Sequence, residues 1–145
     1  MTPTQLALSR ALVSLPGFTW TAAWCLAPDD KGRVYRRNWC PDDPGFGFTQ
    51  VFGRRLRQRR DTSQAVIDLR DPSNGGILLD ALGPSVVCCT RALMAGPPGT
   101  PDTWWWAVEM ENDDERFCAP SLAEACAAAL VARGYYARKC AGRQS

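Results

Sequence analysis

The apolar positions of the chain fall into segments of different period. Near the start, Leu6, Leu8, Ala11, Leu12 and Leu15 give a largely one-sided stripe between Thr2-Pro3-Thr4-Gln5 and Pro16-Gly17. A threonine cap, a proline at the first helical position and a glutamine completing a capping box predict a helix from there to about Ser14. The Pro-Gly pair ends it. A second stripe, Ile77, Leu78, Leu79 and Leu82, follows Asp71-Pro72-Ser73-Asn74 and stops at Gly83-Pro84, which predicts a short, well-covered helix. A third helix opens at Ser121, with Glu124 completing its capping box, and runs through Leu122, Ala125, Ala129 and Leu130 to Gly134.

Strand patterns lie between these helices. Residues 18–26 and 33–39 are rich in aromatic and β-branched side chains around the turn-forming Pro28-Asp29-Asp30-Lys31-Gly32, so a hairpin is expected there. Residues 40–48 carry two prolines, two glycines and two phenylalanines and read as an ordered loop. Residues 86–94 fit a strand or a helix, and 96–101 form a loop. Residues 103–110 are the clearest strand. Alternation places Trp104 and Trp106 on one face and Trp105 on the other, so both faces are expected to be covered, as in a central strand between helical layers.

This order has no regular βαβ alternation and no internal repeat, and it predicts an α+β fold: a small antiparallel sheet sandwiched between helices. Residues 1–138 are expected to form one domain with an Arg-rich insertion at about 45–62, and 139–145 a flexible tail. A length of 145 residues suits a single core.

A net charge of +2 argues against whole-surface attraction to nucleic acid and against an acidic DNA mimic. Of the basic residues only Lys31 and Lys139 are lysines, which with the alanine content points to a GC-rich coding genome. No run reaches the ~20 apolar residues of a membrane span, and the N-terminus lacks the pattern of a signal peptide, so no membrane association and a cytosolic location are expected. Seven cysteines, at 25, 40, 88, 89, 118, 126 and 140, match no disulfide framework; free, mostly buried thiols are expected.

The chain has no histidine, which removes the commonest general base and the usual partner of a serine or cysteine nucleophile. Asp29-Asp30, Asp42-Asp43 and Asp113-Asp114 sit in turn-like segments where aspartate serves the local backbone. No zinc-type cysteine spacing and no phosphate-binding glycine loop occurs. No catalytic residue, metal ligand or cofactor is therefore assigned. The remaining feature is the run at 52–60, where Arg54, Arg55, Arg57, Arg59 and Arg60 supply five planar cationic forks. Phe46, Phe48 and Phe52 lie close in sequence and could stack on a base. Such a run either solvates a surface or binds an anion: a small phosphorylated ligand, an acidic protein or nucleic acid. The tryptophan triplet reads chiefly as core packing, with an interface as the other use of such residues.

Three segments carry a family resemblance: Leu15-Pro-Gly-Phe-Thr-Trp20, Asp68-Leu-Arg-Asp-Pro-Ser-Asn-Gly-Gly-Ile-Leu-Leu79 and Ser121-Leu-Ala-Glu-Ala125. Their order resembles the phage ABA sandwich domain, a family of small phage and prophage proteins in which a small sheet lies between helices. The resemblance implies a phage origin and a fold; it transfers no activity and no site residues. In that setting the expected role is a counter-defence binding protein in the host cytoplasm, sequestering a nucleotide-derived immune signal with the 54–60 run. The alternative is a protein-protein inhibitor of a host defence complex, anti-CRISPR-like in action. A metal-dependent hydrolase and a structural virion protein are lesser alternatives, and a homo-oligomer would let one arginine strip build a shared pocket.

Overall fold

A computed structural model of the protein describes residues 1–20, 23–28, 34–35, 48–49, 65–111 and 114–136. The chain is α+β: the described residues form three α-helices, a two-stranded ladder and a three-stranded antiparallel sheet, with helices before and after that sheet in sequence. In chain order these are α1 (Pro3–Val13), β1 (Val34–Tyr35), β2 (Phe48–Thr49), α2 (Pro72–Leu82), β3 (Val86–Met94), β4 (Thr103–Met110), β5 (Arg116–Ala119) and α3 (Leu122–Arg133).

The caps fall where the sequence places them. Thr2 Oγ1 accepts from the Gln5 backbone N–H while the Gln5 side chain accepts from the Thr2 N–H, closing the capping box of α1. Asp71 caps α2 through the Ser73 N–H, with Pro72 in its first turn. Ser121 caps α3, and its hydroxyl also donates to the Leu69 carbonyl, tying the start of α3 to the segment before α2.

Helix α3 is the centre of the molecule. Ala123, Ala125, Cys126, Ala127, Ala129 and Leu130 are all buried, and at 100° per residue they cover a broad arc of about 200° of the helix, with Ala132 exposed on the remaining side. It touches α1, α2, β4 and β5. Small side chains allow that close approach. At the crossing with α2, a Cβ on Gly75 would stand 3.1 Å from the Leu122 side chain and 3.2 Å from the Ala123 backbone nitrogen, so glycine sets the spacing. Arg133, in the last turn of α3, donates to the carbonyls of Ala81 and Leu82 at the end of α2, where a cation also suits the helix dipole.

The rest of the core is built onto this helix from Leu12 of α1, Leu78 and Leu82 of α2, Val108 and Met110 of β4, and Trp24, Ile67 and Leu69 from irregular segments. Those segments are pinned by polar contacts. Leu26 and Ile67 form a single antiparallel bridge, flanked by hydrogen bonds from Ala27 N–H to Val66 O and from Asp68 N–H to Cys25 O. Ser9 Oγ, buried, donates to Ile67 O at 2.8 Å. Asn74, also fully buried, accepts from Cys25 N–H at 3.0 Å and donates to Cys25 O and Asp68 O, both at 2.8 Å. No buried side-chain nitrogen or oxygen among the described residues lacks a partner.

Three sequence expectations need correction. Among the described residues no ladder joins 18–26 to 33–39: Phe18 lies in an aromatic cluster with Trp20, Trp24 and Tyr136, and strand β1 pairs instead with β2 (Val34 with Thr49, Tyr35 with Phe48). Aromatic enrichment there serves ring packing rather than a ladder. Phe48 accordingly belongs to a strand, not to the expected loop. The cysteines are not mostly buried: of the five described, Cys126 is buried, Cys118 exposed and Cys25, Cys88 and Cys89 intermediate. Cys118 and Cys88 share the sheet face that alternates away from the core residues Val108 and Phe117. The segment 86–94, ambiguous by pattern, is a strand. The Arg-rich insertion, apart from Phe48 and Thr49, and the 139–145 tail lie outside the described residues.

Candidate interaction surface

The sheet order is β3-β4-β5, with β4 central. Its register pairs Thr90 with Ala107, Arg91 with Trp106, Ala92 with Trp105, Leu93 with Trp104 and Met94 with Thr103. Alternation then puts Trp104, Trp106, Val108 and Met110 of β4 on one face, with Arg91 and Leu93 of β3 beside the first two. Val108 and Met110 are buried in the core, and Trp106 packs against its edge. Trp104 lies beyond it and is 55% exposed, and its cross-strand partner Leu93 is 52% exposed. The expectation that this strand is covered on both faces therefore holds for Ala107 and Val108 but not for Trp104. The hairpin outruns the core, leaving an apolar ledge.

Arg91 completes the ledge. Its guanidinium carbon lies 5.4 Å from the centroid of the Trp104 ring and 5.6 Å from that of Trp106, so one cation stacks over both rings. Such contacts contribute roughly 0.5–1 kcal/mol at exposed sites. The guanidinium forms no ion pair or hydrogen bond with the described residues, whereas the other described ion pairs join Arg70 to Asp68 and Arg116 to Glu109.

The turn that joins β3 to β4 is tied by its own hydrogen bonds. Thr100 N–H and Oγ1 both reach Pro97 O, at 3.0 and 2.6 Å, and Gly96 N–H donates to Asp102. A Cβ on Gly96 would come within 2.5 Å of Thr100 Oγ1 and 2.8 Å of Pro101 O, so no larger residue fits the turn as it stands. On the opposite face Trp105 Nε1 donates to Thr103 Oγ1 at 3.1 Å.

The other end of the sheet has a different character. Val87, Glu109, Met110, Glu111, Asp114, Glu115 and Arg116 line an open recess of about 350 Å³, rich in carboxylates. Arg116 pairs with Glu109 across it. Among the described residues no group of three histidine, cysteine or acidic side chains is placed to hold a metal ion.

Of the residues the sequence nominates, Arg54, Arg55, Arg57, Arg59, Arg60, Phe46 and Phe52 lie outside the described residues, and Phe48 is located only as a residue of β2. Sequence reasoning missed Arg91, Leu93 and the exposure of Trp104. The available signal was the position of three consecutive tryptophans directly after a Pro/Gly loop. The first of them sits at the tip of a hairpin, where no helix need reach.

Burial pushes Cys126 up to about 12, with a further contribution from Cys89, and burial likewise raises Cys89, next to Cys88. No helix among the described residues is long and apolar enough to cross a membrane. No family model, curated protein or solved structure matches the chain.

Proposed function

We propose that this protein works by binding, without catalysis, and that the Arg91–Leu93–Trp104 ledge takes a protein partner whose surface offers an apolar knob beside a carboxylate. The observation that carries this is an exposed guanidinium 5.4 and 5.6 Å from two tryptophan ring centroids, without an ion pair or hydrogen bond to the described residues, next to an exposed leucine. Tryptophan and arginine dominate binding hot spots because they combine large buried area with directed hydrogen bonds, and a preorganised pair loses little entropy on association. The resemblance to the phage ABA sandwich domain supplies the setting: inhibition of a host defence complex in the host cytoplasm.

The test is phage plating on defence-bearing bacteria that express the chain, comparing wild type with Arg91→Ala and Trp104→Ala. Wild type raises plating efficiency, and each variant loses that effect while its circular dichroism and melting temperature stay close to wild type. Equal protection by well-folded variants would remove the ledge from the function.

A second reading rests on the sequence feature of five arginines within seven positions. Arg54, Arg55, Arg57, Arg59 and Arg60, with Phe46, Phe48 and Phe52, would trap a phosphorylated, nucleotide-derived signal. Native mass spectrometry after incubation with lysate of infected, defence-active cells discriminates: a small anionic ligand lost on changing Arg55, Arg57 and Arg59 to Ala supports the trap.

A further inference from the structure

The outer edge of β3 points to a second copy of this chain. Among the described residues this nine-residue strand pairs only with β4, and it contains neither proline nor lysine, two of the commonest devices that blunt an open edge. Thr90, Arg91 and Leu93 are exposed along it, as is Val87 at 67% beside the β-bulge that opens the strand. By contrast the opposite edge, β5, is four residues long.

We propose that two copies join their β3 strands antiparallel about a twofold axis at Thr90, making one six-stranded sheet. The strand is self-complementary in that register. Thr90 meets Thr90 of the other copy, Cys89 meets Arg91 and Cys88 meets Ala92, which brings the exposed Leu93 to the bulge at Val87. Each pair lies on a common sheet face, because antiparallel partners point the same way. The two ends of the strand are also complementary in charge. Arg91 and the ledge stand at one end, and the recess holding Glu111 and Asp114 adjoins Val87 at the other, so an antiparallel pairing brings the basic end of each copy beside the acidic end of its mate. Trp104, one strand inward, stays open. A twofold perpendicular to the sheet keeps both ledges on the same side, so the pair presents two copies of the binding surface to one partner.

Sedimentation velocity on the full chain tests this, with Thr90→Lys as the perturbation. That exposed substitution sets two ammonium groups against each other at the axis and leaves the monomer core untouched. Wild type is expected near twice the 16.0 kDa chain mass and Thr90→Lys at the single mass. A wild type that sediments as a monomer at every concentration tested, or a dimer indifferent to Thr90→Lys, overturns the proposal. Should Thr90→Lys fail to fold, oxidation of Thr90→Cys decides the matter by peptide mapping. A disulfide linking residue 90 to residue 90 supports the axis, and its absence from an oxidised sample overturns it.

Discussion

Replacing Asn74 with alanine tests how the irregular segments are held to the helices. Asn74 is fully buried and makes three hydrogen bonds, one to Cys25 N–H and two from its amide to Cys25 O and Asp68 O. The three backbone groups fare differently when the side chain goes. Cys25 O keeps the Asp68 N–H at 2.9 Å and Asp68 O keeps the Asp71 N–H at 3.2 Å, whereas Cys25 N–H has no other partner among the described residues. Two bonds lost at still-satisfied carbonyls cost about 0.5–1.5 kcal/mol each, and a buried orphaned N–H about 1–3 kcal/mol. The sum is roughly 2–6 kcal/mol, with the lower end applying if water enters the space. With urea m-values of about 1–3 kcal/mol/M, the midpoint falls by on the order of 1–2 M at unchanged m. Asn74→Asp sharpens the test. It retains an acceptor for Cys25 N–H but sets a carboxylate against two carbonyl oxygens, which raises its pKa in the folded state. A raised carboxyl binds its proton more tightly when folded, so this variant's stability relative to Asn74→Ala is greatest below the unfolded value of ~3.9 and is lost as pH rises through the folded value. A midpoint shift equivalent to less than about 1 kcal/mol for Asn74→Ala would refute the reasoning, because it would mean the Cys25 N–H is not left unpaired.

Three further outcomes follow from other contacts. Ser121→Ala removes both the cap of α3 and the bond to Leu69 O, and is expected to cost about 1–2 kcal/mol in chemical denaturation, more than an ordinary exposed cap. At Asp68, partial burial pushes the carboxyl up, but the hydrogen bonds and charge of Arg70 outweigh it and hold the group below its ordinary range. Its stabilising contribution is therefore present above the unfolded value of ~3.9 and lost as pH falls through the folded one; NMR titration should place the Asp68 midpoint below that of the unfolded chain, and Arg70→Gln should raise it. Thiol labelling of the native protein followed by peptide mapping should mark exposed Cys118 first and Cys126 only on unfolding, and early labelling of Cys126 would contradict its place inside the core.

The helices were legible because each carries its boundaries in local chemistry. Thr2-Pro3, Asp71-Pro72 and Ser121 with Glu124 mark starts through hydrogen bonds made within three residues. The 103–110 strand was legible from its aromatic run. What failed was reasoning about partners. Residues 18–26 have strand-like composition, yet Phe18, Trp20 and Trp24 are committed to ring contacts with one another and with Tyr136, more than a hundred residues away. Alanine content, read as a sign of genome composition, is also concentrated in α3, where small residues let α1, α2 and the sheet approach closely. The ledge was missed for a geometric reason: the alternation of Trp104, Trp105 and Trp106 is visible in sequence, but the point along β4 where α3 stops covering it is not.

The placement of α3 at the hub also governs the order in which the molecule can be made. Helix α1, helix α2 and the β3–β4 hairpin precede α3 in the chain, and the core they share closes through it. During synthesis from the N-terminus these pieces emerge without the surface they bury against, and the longest-range contacts, such as Gln5 to Glu124, wait for the last of the core to be translated. Until then the chain displays Leu12, Leu78 and Val108 together with an unpaired strand edge. Its yield in a cell should thus depend on how long ribosomes pause between residues 94 and 133, and on chaperones that hold exposed apolar segments meanwhile.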